Sequence, residues 1–430
     1  MAWSLLHRTA MPCFLHRRLN VLHVITPDEV YRTIYDSFSV IDRTESVNLA
    51  DACGRILSES ICSGSDEPPF DRSTVDGYAV RAADTFGSSV PLPAILEVAG
   101  EIRMGELSDT ALPNDSCIRI PTGGALPAGA DCVVMQEHTE DFEDGTIGVT
   151  KAAAPGENII FKGDDIRCGQ EILPAGRKLL PQDIGLLASL GFTTVNVRKA
   201  LTCGIISTGD ELVPEDTDPA PGQIRDINSK LLGAVCAVEG CDVRYYGIVK
   251  DQLDLLQNTL SEALAQCDII LMSGGSSVGE KDNSVKAVSA FGEILFHGIA
   301  VKPGKPTLLG KVSGKPVFGL PGHPQAAFFT AKLFVCAMID RLSGRKRDVI
   351  QVSAILTKAV SSNDGRELYM PVSLIQSATG AGGRQNLPEA VPLHSKSGLI
   401  SSLSRAQGYI CVPRNREGYA AGEIVKVTMF

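Results

Sequence analysis

The chain has 430 residues, room for about three domains of ordinary size. With 44% hydrophobic and 21% charged residues it can bury full cores without disulfides or structural metals. A formal net charge of −10 excludes a general nucleic-acid surface, which needs clustered Lys and Arg, but leaves room for a local anion site.

Residues 1–20 carry Arg8, Arg17, Arg18 and two histidines but no acid, the first carboxylate being Asp28. A transit peptide and a dispensable extension both fit, whereas the apolar runs are too short for a secretory signal. Residues 27–38 read as a helix. A turn-rich stretch follows, from Pro68 and Pro69 to Ser73, and then short β-like runs at 116–120, 131–135 and 145–149. Their Gly, Pro and Asp turns point to small sheets or barrels. One helix, 181–190, interrupts them, with Pro181 at its start and Gly191 just past its end.

From Leu201 the pattern is α/β. A strand at 201–207 leads to a helix at 230–238, expected to be capped by Asn228 or Ser229. A strand at 242–249, a helix at 252–265 and an apolar strand at 268–272 follow. This alternation predicts a parallel-rich sheet flanked by helices, with ligands beyond the carboxyl ends of its strands. The longest apolar stretch, 326–339, is short and broken by Lys332, so no membrane span is expected. Short β segments return after Ser343. The expected division is an extension at 1–20, an N-terminal linker domain from 21–65 with 166–200, an inserted β-rich domain at 66–165, an α/β domain at 201–342 and a C-terminal β domain at 343–430. The twelve cysteines include no Cys-x-x-Cys pair, and His-x-x-x-His spacing is absent. Both facts favour reduced, mostly buried thiols in a cytoplasmic protein over disulfides or zinc.

Four glycine-rich polar turns fall in the α/β region: Ser207 to Glu211, Ser273 to Asp282, Lys302 to Pro306, and Gly319 to Pro324. Glycines let backbone N–H groups approach a ligand, and a following helix adds its positive end, so the turns at Ser273 and Gly319 suit an anion. Lys302 and Lys305, set between prolines, supply fixed positive charge. Glu211 and Asp282 suit magnesium, which favours one or two carboxylates plus phosphate oxygens. One such turn alone is more often structural; four at successive strand ends of one sheet point to a phosphorylated, magnesium-assisted substrate. Three N-terminal stretches, 71–79, 120–131 and 161–166, read by themselves as ordinary turn chemistry.

Taken together, these segments closely resemble the molybdopterin molybdenumtransferase family, which includes the gephyrin E domain. The resemblance runs from about Thr26 to Phe430. Its markers, in family order, are Pro-Pro-Phe-Asp-Arg-Ser-x-x-Asp-Gly-Tyr-Ala, Ile-Pro-Thr-Gly, Gly-Asp-Asp, Ser-Thr-Gly-Asp-Glu-Leu, Gly-Gly-x-Ser-x-Gly-x-x-Asp, Pro-Gly-Lys-Pro and Gly-Leu-Pro-Gly-x-Pro. It implies an elongated multi-domain α/β plus β chain: a molybdopterin-binding α/β domain, an N-terminal mixed region, an inserted small β domain and a C-terminal β-barrel-like domain. It also implies a homodimer with the active site between subunits, and transient contacts with the molybdopterin adenylyltransferase and acceptor molybdoenzymes.

The implied reaction releases AMP from adenylyl-molybdopterin and inserts molybdate into its dithiolene, with Mg2+ as cofactor. The resemblance assigns Asp76, Asp165, Glu211, Asp251 and Asp282 to catalysis, with Glu211, Asp251 and Asp282 on the magnesium. It assigns Thr122, Gly123, Ser207, Thr208, Gly209, Gly274, Gly275, Ser276, Ser277, Gly279, Pro321 and Gly322 to the pterin-phosphate and AMP. Lys302, Lys305, Pro306, Arg366 and Ser402 are assigned to molybdate. The chain departs from the common pattern at Ser276, His323 and Ala326; His323 fits a solvated turn and a ligand contact equally. Rival readings are a molybdopterin adenylyltransferase, a tungstate-inserting paralogue and a weakly catalytic scaffold or cofactor carrier. The long flanking regions oppose the first of these.

Overall fold

Local chemistry starts the first helix cleanly. Thr26 accepts from the Glu29 N–H while the Glu29 carboxylate accepts from the Thr26 N–H, with Pro27 in the first turn, so the Pro27–Ser37 helix begins on a closed capping box. The computed structural model describes residues 24–106, 111–274, 283–362, 365–376, 387–394 and 398–430. The expected extension at 1–20 lies outside them. The chain divides into two units, residues 1–43 with 199–430, and residues 44–198.

The first unit holds a six-stranded sheet in the order Asp242–Val249, Thr202–Thr208, Ile269–Ser273, Lys315–Leu320, Leu308–Val312, Glu293–His297. The first four strands are parallel; Leu308–Val312 turns back antiparallel to them, and Glu293–His297 pairs antiparallel with it in turn. The reversal follows from the Ser313-Gly314 connection, which is too short for the crossover that a parallel pair needs. The Ile269–Ser273 strand is buried at every position. Because alternate residues face opposite ways, Ile269 and Leu271 enter one core while Ile270 and Met272 enter another. The first core is closed by Val30 and Ile34 of the first helix, Leu232 of the Asn228–Val238 helix, and Phe329 and Phe334. The second is closed by Leu256 and Leu260 of the Leu253–Gln266 helix and by Val288. Helices therefore cover both faces, as the alternating pattern predicts.

In the same unit the C-terminal strands close into a five-stranded barrel: Glu367–Ile375, Glu389–Pro392, Gln351–Leu356, Ile424–Met429 and Gly408–Val412, the last pairing back with the first. Val352, Val372, Ile410, Val425 and Val427 pack its interior.

Two local expectations change. The Lys302 turn does not end a strand of the α/β sheet; Val301 and Lys302 pair parallel with Glu367 and Leu368 and so join the barrel sheet. Its three preceding apolar residues were too few to say which sheet they would enter. The helix after the first strand is capped by neither Asn228 nor Ser229: the Asp226 carboxylate accepts the Ser229 N–H at 3.1 Å, so the helix starts earlier and the Asn228 side chain points elsewhere.

The second unit holds a six-stranded sheet in the order Cys132–Met135, Gly77–Val80, Ser116–Ile120, Ala94–Glu101, Thr146–Val149, Thr139–Asp141. Tyr78 and Val80 face one core, Ala79 and Ile118 the other. Its two chain ends meet where Thr44–Asn48 pairs antiparallel with Thr194–Arg198, over a core that includes Leu57, Leu179 and Leu187. Seven of the described cysteines are buried, and every described cysteine is a free thiol.

One buried ionic cluster ties the Asn228–Val238 helix to the chain entering the barrel. The Arg347 guanidinium grips the Glu239 carboxylate with two bonds of 2.9 and 2.7 Å, Arg345 adds a third, and Asp340 takes the far side of Arg347. Burial opposes ionisation of Glu239, but the two guanidiniums outweigh it and hold the carboxyl down at about 2. Glu239→Gln is expected to cost about 3 kcal/mol, because it strands buried guanidinium charge. Urea unfolding at several pH values checks this. The deficit should be full above pH 4.5, the usual carboxyl value, and shrink as acid protonates wild-type Glu239 on the way to about 2.

Candidate active site

The three central strand ends of the α/β sheet lie in register, Ser207 opposite Ser273 and Ser273 opposite Leu320. Parallel strands place these ends on one edge, where turns rather than side-chain cores meet solvent. Gly274 crosses directly over the end of the Thr202–Thr208 strand. A Cβ there would lie 2.0 Å from the Thr208 carbonyl oxygen, and its φ of +101° is left-handed, so glycine is required on both counts. Its N–H donates to the Leu320 carbonyl at 3.3 Å, joining the turn to the next strand end.

A cleft of about 680 Å³ opens at this edge. Of the residues singled out in the sequence it is lined by Thr208, Glu211, Ser273, Gly274, Pro306, Pro321 and Gly322. Ser207 is buried behind them, and Gly209 carries the turn to Glu211; a Cβ on Gly209 would sit 2.8 Å from the Glu211 carboxylate. Asp251 follows the neighbouring strand. Its N–H donates to Asp210 at 3.3 Å, and the Asn283 amide donates to both its carbonyl and its carboxylate at 3.0 Å. Gly275, Ser276, Ser277, Gly279 and Asp282 lie outside the described residues.

The lysine turn is a built loop, not a solvated one. Thr307 donates to the Gly304 carbonyl at 2.8 Å, the Ile299 N–H donates to the Lys305 carbonyl at 2.9 Å, and a Cβ on Gly304 would meet Thr330 at 2.8 Å. Both lysines remain exposed. The parallel pairing of Lys302 with Leu368 also brings in Arg366, the residue just ahead of the Glu367–Ile375 strand. Ser402 is buried in the short Ser401–Ser404 helix. Pro306 alone of the expected molybdate residues lines the cleft.

The cleft also contains residues that the sequence did not assign to a site. Ile224, Arg225 and Asp226, with Asn228, which was read only as a helix cap, come from an arm in which Leu212–Val213 pairs parallel with Ile224–Arg225. His323 and Gly398 complete the rim, which gives His323 a place at the site rather than on a remote turn. The only sequence signal for the arm was the expected helix cap at Asn228 or Ser229.

In the second unit the three N-terminal motifs form one network. Arg72 and Ser73 pair with Ile160 and Ile159, Ser73 exchanges backbone bonds with Gly123 and Gly124, and the Lys162 N–H donates to the Asp71 carboxylate at 2.7 Å. The Asp165 N–H donates to Glu67 at 3.1 Å. Thr122 donates to Asp76 through its backbone at 2.7 Å and its hydroxyl at 3.0 Å. These two donations, backbone first, hold Asp76 below the usual carboxylate range. Asp76, Thr122 and Asp165 are exposed.

Residues 25–191 match the family described as the MoeA N-terminal region (domain I and II), 204–341 the "Probable molybdopterin binding domain", and 353–430 the MoeA C-terminal region (domain IV). The molybdopterin molybdenumtransferase of Haemophilus influenzae is 33% identical, over 95% of this chain and 99% of its own length. The chain belongs to the molybdopterin molybdenumtransferase family. The Bacillus subtilis member is 32% identical over 94% of each chain. The crystal structure of the molybdopterin biosynthesis MoeA protein from Pyrococcus horikoshii OT3 superposes with a TM-score of 0.82 at 32% identity, covering 95% of this chain and 100% of that one. The crystal structure of a molybdopterin biosynthesis MoeA protein from Pyrococcus horikosii gives 0.76 at 35% identity, over 94% of this chain and 99% of that one. Membership in the molybdenumtransferase family spans both units and the barrel, so the cleft is one part of a three-part chain and not a lone α/β domain.

Gly274→Ala is expected to lower stability by about 2 kcal/mol, since backbone must move to clear 2.0 Å. It should also weaken ligand binding in the cleft. Gly185→Ala, with nothing within 4 Å of the added carbon in its helix, is the control and should be neutral or stabilising. Thermal melts and titration calorimetry with AMP separate the two.

Proposed function

We infer that this protein is a molybdopterin molybdenumtransferase, a cytoplasmic enzyme of molybdenum cofactor synthesis. It cleaves adenylyl-molybdopterin, releases AMP and loads molybdate onto the dithiolene. The carrying observation is the cleft at three converging strand ends, with glycine-made backbone approaches, Glu211 on its wall and a braced lysine loop at its edge. Among the described residues no helix is long and apolar enough to cross a membrane.

The donor set fits Mg2+. Glu211 and Asp251 stand at neighbouring strand ends and Asn283 holds the Asp251 carboxylate; with Asp282, the third expected acid and outside the described residues, the expected ligands are all hard oxygens. Bound there, the ion supplies positive charge against the pyrophosphate. The chain's own residues do the rest. Ser207, Thr208, Gly209, Gly274 and the serine-rich run after it bind the phosphate end, and Pro321 and Gly322 bound the ring pocket. Lys302, Lys305 and Arg366, with Pro306 and Ser402, hold the molybdate dianion by fixed charge that needs no reorganisation. Two copies of the chain pair so that Asp76, Thr122, Gly123 and Asp165 of one complete the site of the other. A Thr122-held, ionised Asp76 is ready for such a role. The substrate arrives from an adenylyltransferase and the product leaves to acceptor molybdoenzymes.

Purified protein given adenylyl-molybdopterin, molybdate and Mg2+ is expected to release AMP and yield metal-loaded cofactor; EDTA should stop this and added Mg2+ restore it. Lys302→Ala should raise the molybdate concentration needed by tenfold or more, through loss of a charge-assisted contact, on the order of 1.5 kcal/mol. Failure of AMP release with both molybdate and tungstate would sink the reading. Shared sites carry their own signature. Asp76→Asn and Glu211→Gln, each inactive alone, should recover about a quarter of wild-type activity when their subunits are mixed at random, because each mixed dimer rebuilds one intact site. No recovery overturns the two-copy arrangement.

A further inference from the structure

Asn228 is buried, 7% exposed, lines the cleft, and makes a hydrogen bond at only one end of its side-chain amide. Its amide NH2 donates to the Gly322 carbonyl at 2.8 Å. A carbonyl can only accept, so this bond fixes which end of the amide faces Gly322 and leaves the Oδ1 oxygen turned the other way. Among the described residues that oxygen is buried and has no hydrogen-bond partner. The neighbouring Thr208 hydroxyl, 2% exposed, is in the same condition. The two belong to one continuous floor. Thr208 lies under Gly274, and a Cβ on Gly322 would lie 3.8 Å from the Gly274 Cα. Apolar walls from Ile224, Ile227, Pro321 and Pro324 stand around it.

A buried acceptor that has given up water without a replacement is costly, and such groups in native structures mark a missing partner. For holding the helix start to the Gly322 turn the NH2 alone suffices; the oxygen is spare.

The geometry points to Asn228 as a specificity-determining residue whose Oδ1 accepts a hydrogen bond from a nitrogen donor on a flat heterocycle bound between those apolar walls. This rests on the reading of the cleft as the adenylyl-molybdopterin site. Both rings of that substrate carry an exocyclic amine, and the amine is the shared chemistry. Asn228 is a polar reader of the kind that rejects an analogue lacking the donor, because the analogue leaves the buried oxygen unpaired.

Titration calorimetry on the full chain decides it with two ligand pairs. AMP is compared with purine riboside 5′-monophosphate, which lacks the amine, and 6-hydroxymethylpterin with 6-hydroxymethyllumazine, in which a carbonyl replaces it. Wild type is expected to bind the amine-bearing member about tenfold more tightly in one of the pairs, and that pair names the ring. Asn228→Ala should lose that preference while binding the amine-free member as before. Equal binding within both pairs by wild type, or a preference that survives Asn228→Ala, overturns the assignment and leaves the cleft's function standing. If neither AMP nor the pterin binds at millimolar concentration, the assignment and the cleft reading fall together. The wild-type comparison needs no variant, so a misfolded Asn228→Ala does not weaken the test.

Discussion

The candidate site depends on one steric fact, the passage of Gly274 over the Thr208 carbonyl. Parallel pairing sets the strand ends side by side, but any side chain at that crossing would push them apart. With glycine there, the turn docks on the Leu320 carbonyl, and the cleft opens at this edge of the sheet. The same closeness leaves polar atoms of Ser207, Thr208 and Asn228 buried without partners among the described residues. Cores on both faces, from Phe318 and Phe329 on one side to Leu256 and Met272 on the other, hold the sheet firmly enough for that strain to be kept at its edge.

Positive charge reaches the site region by a different route. Lys302 belongs to a two-residue strand on the barrel sheet, and its position follows the barrel's register rather than that of the α/β sheet. Thr307, Thr330 and the left-handed Gly304 brace the loop from behind. The lysines are consequently exposed in charge yet fixed in backbone, a combination that favours an oxyanion without requiring a collapse around it. The Glu239 cluster works at the same join, fastening the α/β helix end to the strand that begins the barrel.

The second unit shows how polar turns gain meaning from one another. Asp71, Ser73, Asp76, Thr122 and Lys162 each look like turn residues, and each is partly that. Their hydrogen bonds run between segments up to 91 positions apart, so the three loops form one preorganised, exposed surface. The two hydrogen bonds by which Thr122 holds Asp76 are a property of the network and of no single segment.

Elements and fold class were legible in the amino-acid order because they rest on local physics: the apolar run at 268–272, the helix at 27–38, the Pro181 and Gly191 boundaries, the short β segments after Ser343. Motif order was also legible, and it named the family before any coordinate did. What the order could not decide was partnership across distance. Three apolar residues before Lys302 carry no mark of the sheet they join, Ser313-Gly314 reverses a strand that reads like its parallel neighbours, and Asp226 takes the cap that Asn228 was expected to fill. That last exchange frees the Asn228 amide to bond Gly322, 94 residues away, and leaves its oxygen buried without a partner among the described residues. Sequence carries propensity, which is local; pairing and side-chain direction are set by which surfaces meet, and only the folded chain makes them meet.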